Sequence, residues 1–240
     1  MSLLAVTRCA LAPAAAGVSL VDLLMVVVVL TNLTLLGASR LTHCVRVVAI
    51  QGVALGVLPL LVHADEVTAR LVGFATVVIA LKGFVFPWLL TRALREADVR
   101  RESEPFVGYS ISLLLGVALL AVSLWIGSRL PLPGAAEAGD AAAPPSFAVP
   151  VALSTLLCGL LILVARRSAL NQVLGYLVFE NGIYAFGVPL VKDAPLLVEM
   201  GVLLDVFVGV FVMGIALFHI QRELRHLDAD RLSTLKNSKP

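Results

Sequence analysis

Charged residues fill only 14% of the 240 positions, against roughly 25% in ordinary soluble domains. With 60% of the chain hydrophobic, that shortage excludes a water-soluble globular domain and points to an integral membrane protein. Cysteine is scarcer still. Cys9, Cys44 and Cys158 lie far apart, in or near apolar runs, and form no CxxC or Cys/His ligand set, so they read as inert buried thiols. The expectation is a chain that holds no cofactor and no metal. A net charge of +2, from 18 basic and 16 acidic residues, leaves no footprint for a nucleic-acid partner.

Long apolar sequence is what the chain has in abundance. A hydrocarbon core of about 30 Å takes about 20 apolar residues per helix. Such runs recur at 20–38, 45–62, 67–90, 106–126, 147–164, 169–188 and 196–219. The expected fold is all-α: a single polytopic domain over residues 1–240, crossing the lipid bilayer with about seven transmembrane helices. Residues 1–18 read as an uncleaved leader, because the apolar stretch before Ala14 is too broken for a secretory signal. Four helices fall within 19–127, with Ser19 and Asp22 matching a capping box at the first. Residues 128–146, rich in Pro, Gly and Ala, read as an exposed loop. Three more helices occupy 147–219, and 220–240 is a polar tail.

The basic residues divide unevenly between the two sides of such a bundle. One side takes Arg40 and Arg46, the charged connector with Arg92, Arg95, Arg100 and Arg101, then Arg166 and Arg167, and five in the tail. Arg8, Arg70, Arg129 and Lys192 fall on the other. Short cytoplasmic loops carry the Lys/Arg excess, which predicts an outside N-terminus and a cytoplasmic C-terminus in the cell (inner) membrane.

Ionisable residues inside apolar runs are the candidate site. Glu180 lies eleven residues after Ala169, roughly 17 Å into its span and near the bilayer centre. A charge at that depth costs from a few to roughly 10 kcal/mol or more, so the default reading is a proton or ion path. Tyr176 and Tyr184 flank Glu180 one turn away on the same face. Asn181-Gly182 directly after it should weaken the helix and favour a bulge or a wet break. Asp205 is the second buried acid, with Gly201 and Gly209 one turn before and after it. Glu199 is a competing acid that either serves the path or complements a helix N-terminus. Lys82, in IALKGFVFPW, is too deep to snorkel, and Pro87 after it should kink the helix. It serves either as a static counter-ion to one of these acids or as a charge that decides when they hold a proton.

The stretch NQVLGYLVFENGIYAFG, followed by PLLVEMGVLLDVFVGVFVMGIALFHIQRELRHLD, resembles the hydrogenase-4 component E family, the membrane subunit of group 4 [NiFe] hydrogenases and formate hydrogenlyase-type complexes. Within it, RRSALNQVLGYLVFENG is similar to a helix of the small NuoK-type subunit of respiratory complex I, with Glu180 at that subunit's buried glutamate and Asp205 near its second. The resemblance implies that the last three helices are NuoK-like. It further implies a non-catalytic membrane-arm subunit, with antiporter-like subunits, a membrane anchor and a cytoplasmic hydrogenase module bearing nickel-iron and iron-sulfur centres as partners. Two other functions stay open on the residues alone: a subunit of a multi-component cation/proton antiporter, and a structural membrane anchor.

Overall fold

The computed structural model of the protein describes residues 20–64, 67–96, 107–130, 147–166, 168–190, 210 and 214. The expected leader, most of the 128–146 loop, most of the seventh apolar run, including Glu199 and Asp205, the tail and Cys9 lie outside the described residues. Among the described residues every long element is helical, and five helices are long and apolar enough to span a membrane. The chain is an all-α, multi-pass membrane protein.

Helix α1 (Leu20–Gly37) and helix α2 (Leu41–Val62) are joined by three residues, a connection short enough to force antiparallel packing. Helix α2 begins four residues before the expected 45, so His43, ahead of the apolar run in the sequence, rides on its first turn. The third span is continuous but changes pitch: helix α3 (Ala69–Val78), a π-helical stretch (Ile79–Val85) and helix α4 (Phe86–Glu96). Proline supplies the reason. Pro87 has no N–H for the carbonyl four residues back, and its ring would clash there. The chain widens just upstream, with Phe86 donating its N–H to the Leu81 carbonyl, five residues back. Helix α4 runs on to Glu96, so the first part of the expected connector is helical.

Helix α5 (Tyr109–Gly127), helix α6 (Ala148–Ala165) and helix α7 (Ala169–Leu190) complete the described bundle. Helix α7, with Asn171, Gln172, Glu180 and Asn181, is more polar than the five apolar helices. It runs unbroken through Asn181-Gly182, where a bulge was expected; the irregular turn of the bundle sits opposite it, at Lys82. Helices α6 and α7 touch backbone to backbone: a Cβ on Gly159 would collide with the main chain of Phe179. Large apolar side chains such as Phe84, Trp88, Leu114, Trp125 and Val164 stand on the outside, as a helix bundle solvated by lipid requires.

The interior holds two hydrophobic clusters. One gathers Leu35, Val48, Phe86, Cys158 and Val178, the other Val28, Leu55, Val78, Ala152 and Tyr184. On each of five helical segments a polar residue falls between the two: Asn32 on α1, Gln51 on α2, Lys82 in the π-helical stretch, Thr155 on α6, and Glu180 with Asn181 on α7. The bundle is therefore built as apolar, polar, apolar along its axis.

Candidate functional site

The polar layer is centred on an ion pair. Lys82 Nζ lies 3.2 Å from Glu180 Oε1, and the two side chains are 7% and 3% exposed. Taking both charges out of water costs several kcal/mol per ion, so the pair persists only if further polar groups complete its shell. Lys82 Nζ also donates to Asn181 Oδ1 at 3.2 Å and stands 5.2 Å from the centre of the Tyr184 ring, a cation–π distance. Phe74 stacks on the same ring, with centroids 6.3 Å apart.

A glycine admits the lysine. A Cβ on Gly52 of α2 would come within 2.8 Å of Lys82 Cβ and 2.9 Å of the Lys82 carbonyl oxygen. Only a bare backbone lets the π-helical stretch lie this close to α2, which aims the ammonium across the bundle at α7. The widened pitch and Gly52 thus act together to set the depth and direction of one charge.

From Asn181 a chain of hydrogen bonds crosses the membrane interior sideways. Asn181 Nδ2 donates to Gln51 Oε1 at 3.1 Å, Gln51 Nε2 to Asn32 Oδ1 at 2.8 Å, and Asn32 Nδ2 to Thr155 Oγ1 at 2.8 Å. Thr155 Oγ1 closes the line by donating to the Val151 carbonyl at 2.8 Å. All these side chains are buried, and each amide nitrogen and oxygen in the line has a partner inside the protein.

The arrangement assembles Lys82, Glu180, Asn181 and Tyr184 in one place. Asn181 acts there as a hydrogen-bonding partner of both Lys82 and Gln51, in an unbroken helix. Tyr176 is half-buried, one turn before Glu180. Reading the sequence for charge passed over Gln51, Asn32, Thr155 and Gly52. The signal for the amides was present: a single Asn in LTNLTLL and a single Gln in AIQGVAL are costly among apolar residues unless paired.

A second buried cation stands at one end of the bundle. Arg166, assigned from sequence to a loop, is 2% exposed just after α6. Its Nη2 donates to the Leu36 carbonyl in the last turn of α1 at 2.9 Å, and its guanidinium lies 4.4 Å from the centre of the Tyr109 ring at the start of α5. It caps a helix C-terminus and ties three helix ends together. Among the described residues no group of His, Cys, Asp and Glu is arranged to hold a metal ion.

No family model matches the chain, and no solved structure matches it. It is 33% identical over 221 residues to the uncharacterized protein Rv0085 of Mycobacterium tuberculosis, a match covering 91% of this chain and 96% of that protein. Hydrogenase-4 component E of Escherichia coli is 30% identical over 155 residues, covering 65% of this chain and 68% of the relative, and the Shigella flexneri component E matches equally. Conserved identity over two thirds of component E, in a multi-pass all-helical chain, makes this protein a member of the hydrogenase-4 component E family.

Proposed function

We propose that the chain is a membrane-arm subunit of a hydrogenase-type, complex I-related assembly, and that Lys82 and Glu180 are part of a path that couples redox chemistry elsewhere in that assembly to proton movement. The observation that carries the reading is the ion pair at 3.2 Å, sealed between two apolar layers at the middle of the bundle. Static packing gains little from it, since an apolar pair of the same volume is often neutral or more stable. A carboxylate that can be neutralised beside an ammonium that can be shared suits proton handling.

In this reading a proton reaching Glu180 neutralises the carboxylate, and Lys82 then rests on Asn181 Oδ1, already at 3.2 Å. Release of the proton to the other side restores the pair. Asp205 or Glu199 supplies the second acid, with residues 147–219 serving as the NuoK-like part. The assembly places this chain against antiporter-like membrane subunits and a membrane anchor. The redox centres, nickel-iron and iron-sulfur, sit in a cytoplasmic hydrogenase module and not in this chain. The C-terminus and the arginine-rich loops face the cytoplasm of the inner membrane.

The test is Glu180→Gln in the assembled complex, in sealed membrane vesicles. The variant keeps an oxygen for Lys82, so the complex should assemble while proton translocation is lost. Undiminished translocation at normal assembly refutes the role of Glu180.

A further inference from the structure

We infer that Gln51, acting through Asn181, is a positioning residue for the Lys82–Glu180 pair, and that the line from Asn181 to Thr155 orients the pair without carrying protons. The inference rests on the proposed role of Glu180, but its main readout does not.

The argument starts from direction. An ammonium only donates, so Asn181 must turn its oxygen to Lys82 and has only its NH2 left for Gln51. The same holds at each step: Gln51 accepts from Asn181 and donates to Asn32, and Asn32 accepts from Gln51 and donates to Thr155. The far end imposes the same sense independently. Thr155 gives its one proton to the Val151 carbonyl, four residues back on its own helix, and can only accept from Asn32. A charge at one end and a backbone carbonyl at the other therefore fix three amides in one orientation, each with its carbonyl toward the ammonium. Aligned dipoles of this kind polarise one another and hold the acceptor at Lys82 more firmly than an isolated Asn would.

The same chemistry closes the line to protons. An amide nitrogen that donates has no lone pair free to take a proton in return, so a proton cannot hop from Lys82 to Thr155 as it would along hydroxyls or water. The proton route must leave the pair on the Glu180 side. What the line does is fix where the ammonium sits, and so how strongly it supports the carboxylate 3.2 Å away.

The experiment uses the full chain in lipid vesicles and infrared spectroscopy, with the Glu180 carboxylate band assigned by its loss in Glu180→Gln. In Gln51→Met, similar in length but without polar atoms, that band should be roughly halved in favour of the protonated carboxyl band, with helix content unchanged. Asn32→Leu, one link further away, should give a smaller change, and Thr155→Val the smallest. An unchanged band in both Gln51→Met and Asn32→Leu overturns the positioning role, and abolished proton translocation in Thr155→Val overturns the claim that the line carries no protons. Failure of Glu180→Gln to affect translocation would remove the proposed path and leave this infrared prediction standing.

Discussion

Lys82 and Arg166 are both cations buried in the same bundle, yet their surroundings are built on opposite terms. Two of the groups that Arg166 meets, a backbone carbonyl and the face of a tyrosine, keep the same charge at any ordinary pH. Lys82 meets a carboxylate, an amide and an aromatic ring. The carboxylate can be neutralised, and the amide offers the ammonium somewhere to go when that happens. Depth follows the same division: Arg166 closes the ends of α1, α5 and α6, whereas Lys82 lies between the two apolar layers. Burial alone therefore does not mark a functional charge. On the proposed reading the variability of its partners does, and that would separate a brace from a site.

The comparison breaks most visibly if one member of the central pair is removed. Lys82→Met leaves Glu180 buried without its counter-ion and should cost about 3–5 kcal/mol against unfolding in detergent micelles. The double variant Lys82→Met with Glu180→Leu should recover most of that stability while proton translocation stays lost. If the double variant is as unstable as the single one, the pair is a structural device and the contrast with Arg166 disappears.

Gly52→Val comes next. Its new side chain would press on the backbone of Lys82, so the π-helical stretch must move away from α2, at a cost of up to about 3 kcal/mol. Because the displaced atoms belong to Lys82, translocation should fall with stability. Arg166→Met should cost about 2 kcal/mol, chiefly from the Leu36 carbonyl left unsatisfied. Translocation per assembled complex should not change. A proton defect in that variant, measured at equal amounts of complex, would put Arg166 on the path and erase the distinction.

Much of this was legible in the chain. Among the described residues, apolar runs of membrane-spanning length located the six long helical spans to within a few residues, except at the end of the third, because in lipid only a helix satisfies its own backbone. Glu180, Lys82 and Tyr184 stood out because charge and hydroxyl are conspicuous in apolar surroundings. That Lys82 pairs with Glu180, ninety-eight positions later, was not legible, since the pairing depends on Gly52 and on the turn widened ahead of Pro87. The amides were missed for a different reason. Asn32 and Gln51 carry no charge, and their weight comes only from meeting each other, Thr155 and Asn181 across four helices. The burial of Arg166 was not legible, because a basic residue at the end of an apolar run looks the same whether it faces water or caps a neighbouring helix.

The finest test of the contrast is Tyr109→Leu. The tyrosine ring lies 4.4 Å from the Arg166 guanidinium, and a desolvated cation–π contact is worth about 1 kcal/mol. Leucine keeps the apolar volume and removes the quadrupole, so unfolding in micelles should become easier by about that amount, with the Leu36 hydrogen bond intact. Proton translocation should again be untouched, because the ring and the Leu36 carbonyl that hold Arg166 carry no charge to exchange with the central pair. Removing the ring at the other cation, Tyr184→Leu, is the matching control. There the same loss of about 1 kcal/mol should come with altered translocation, since that ring helps decide how Lys82 is shared between Glu180 and Asn181. Equal stability losses with unequal functional ones are what a brace and a site must give; equal losses of both would mean the two cations are the same kind of thing.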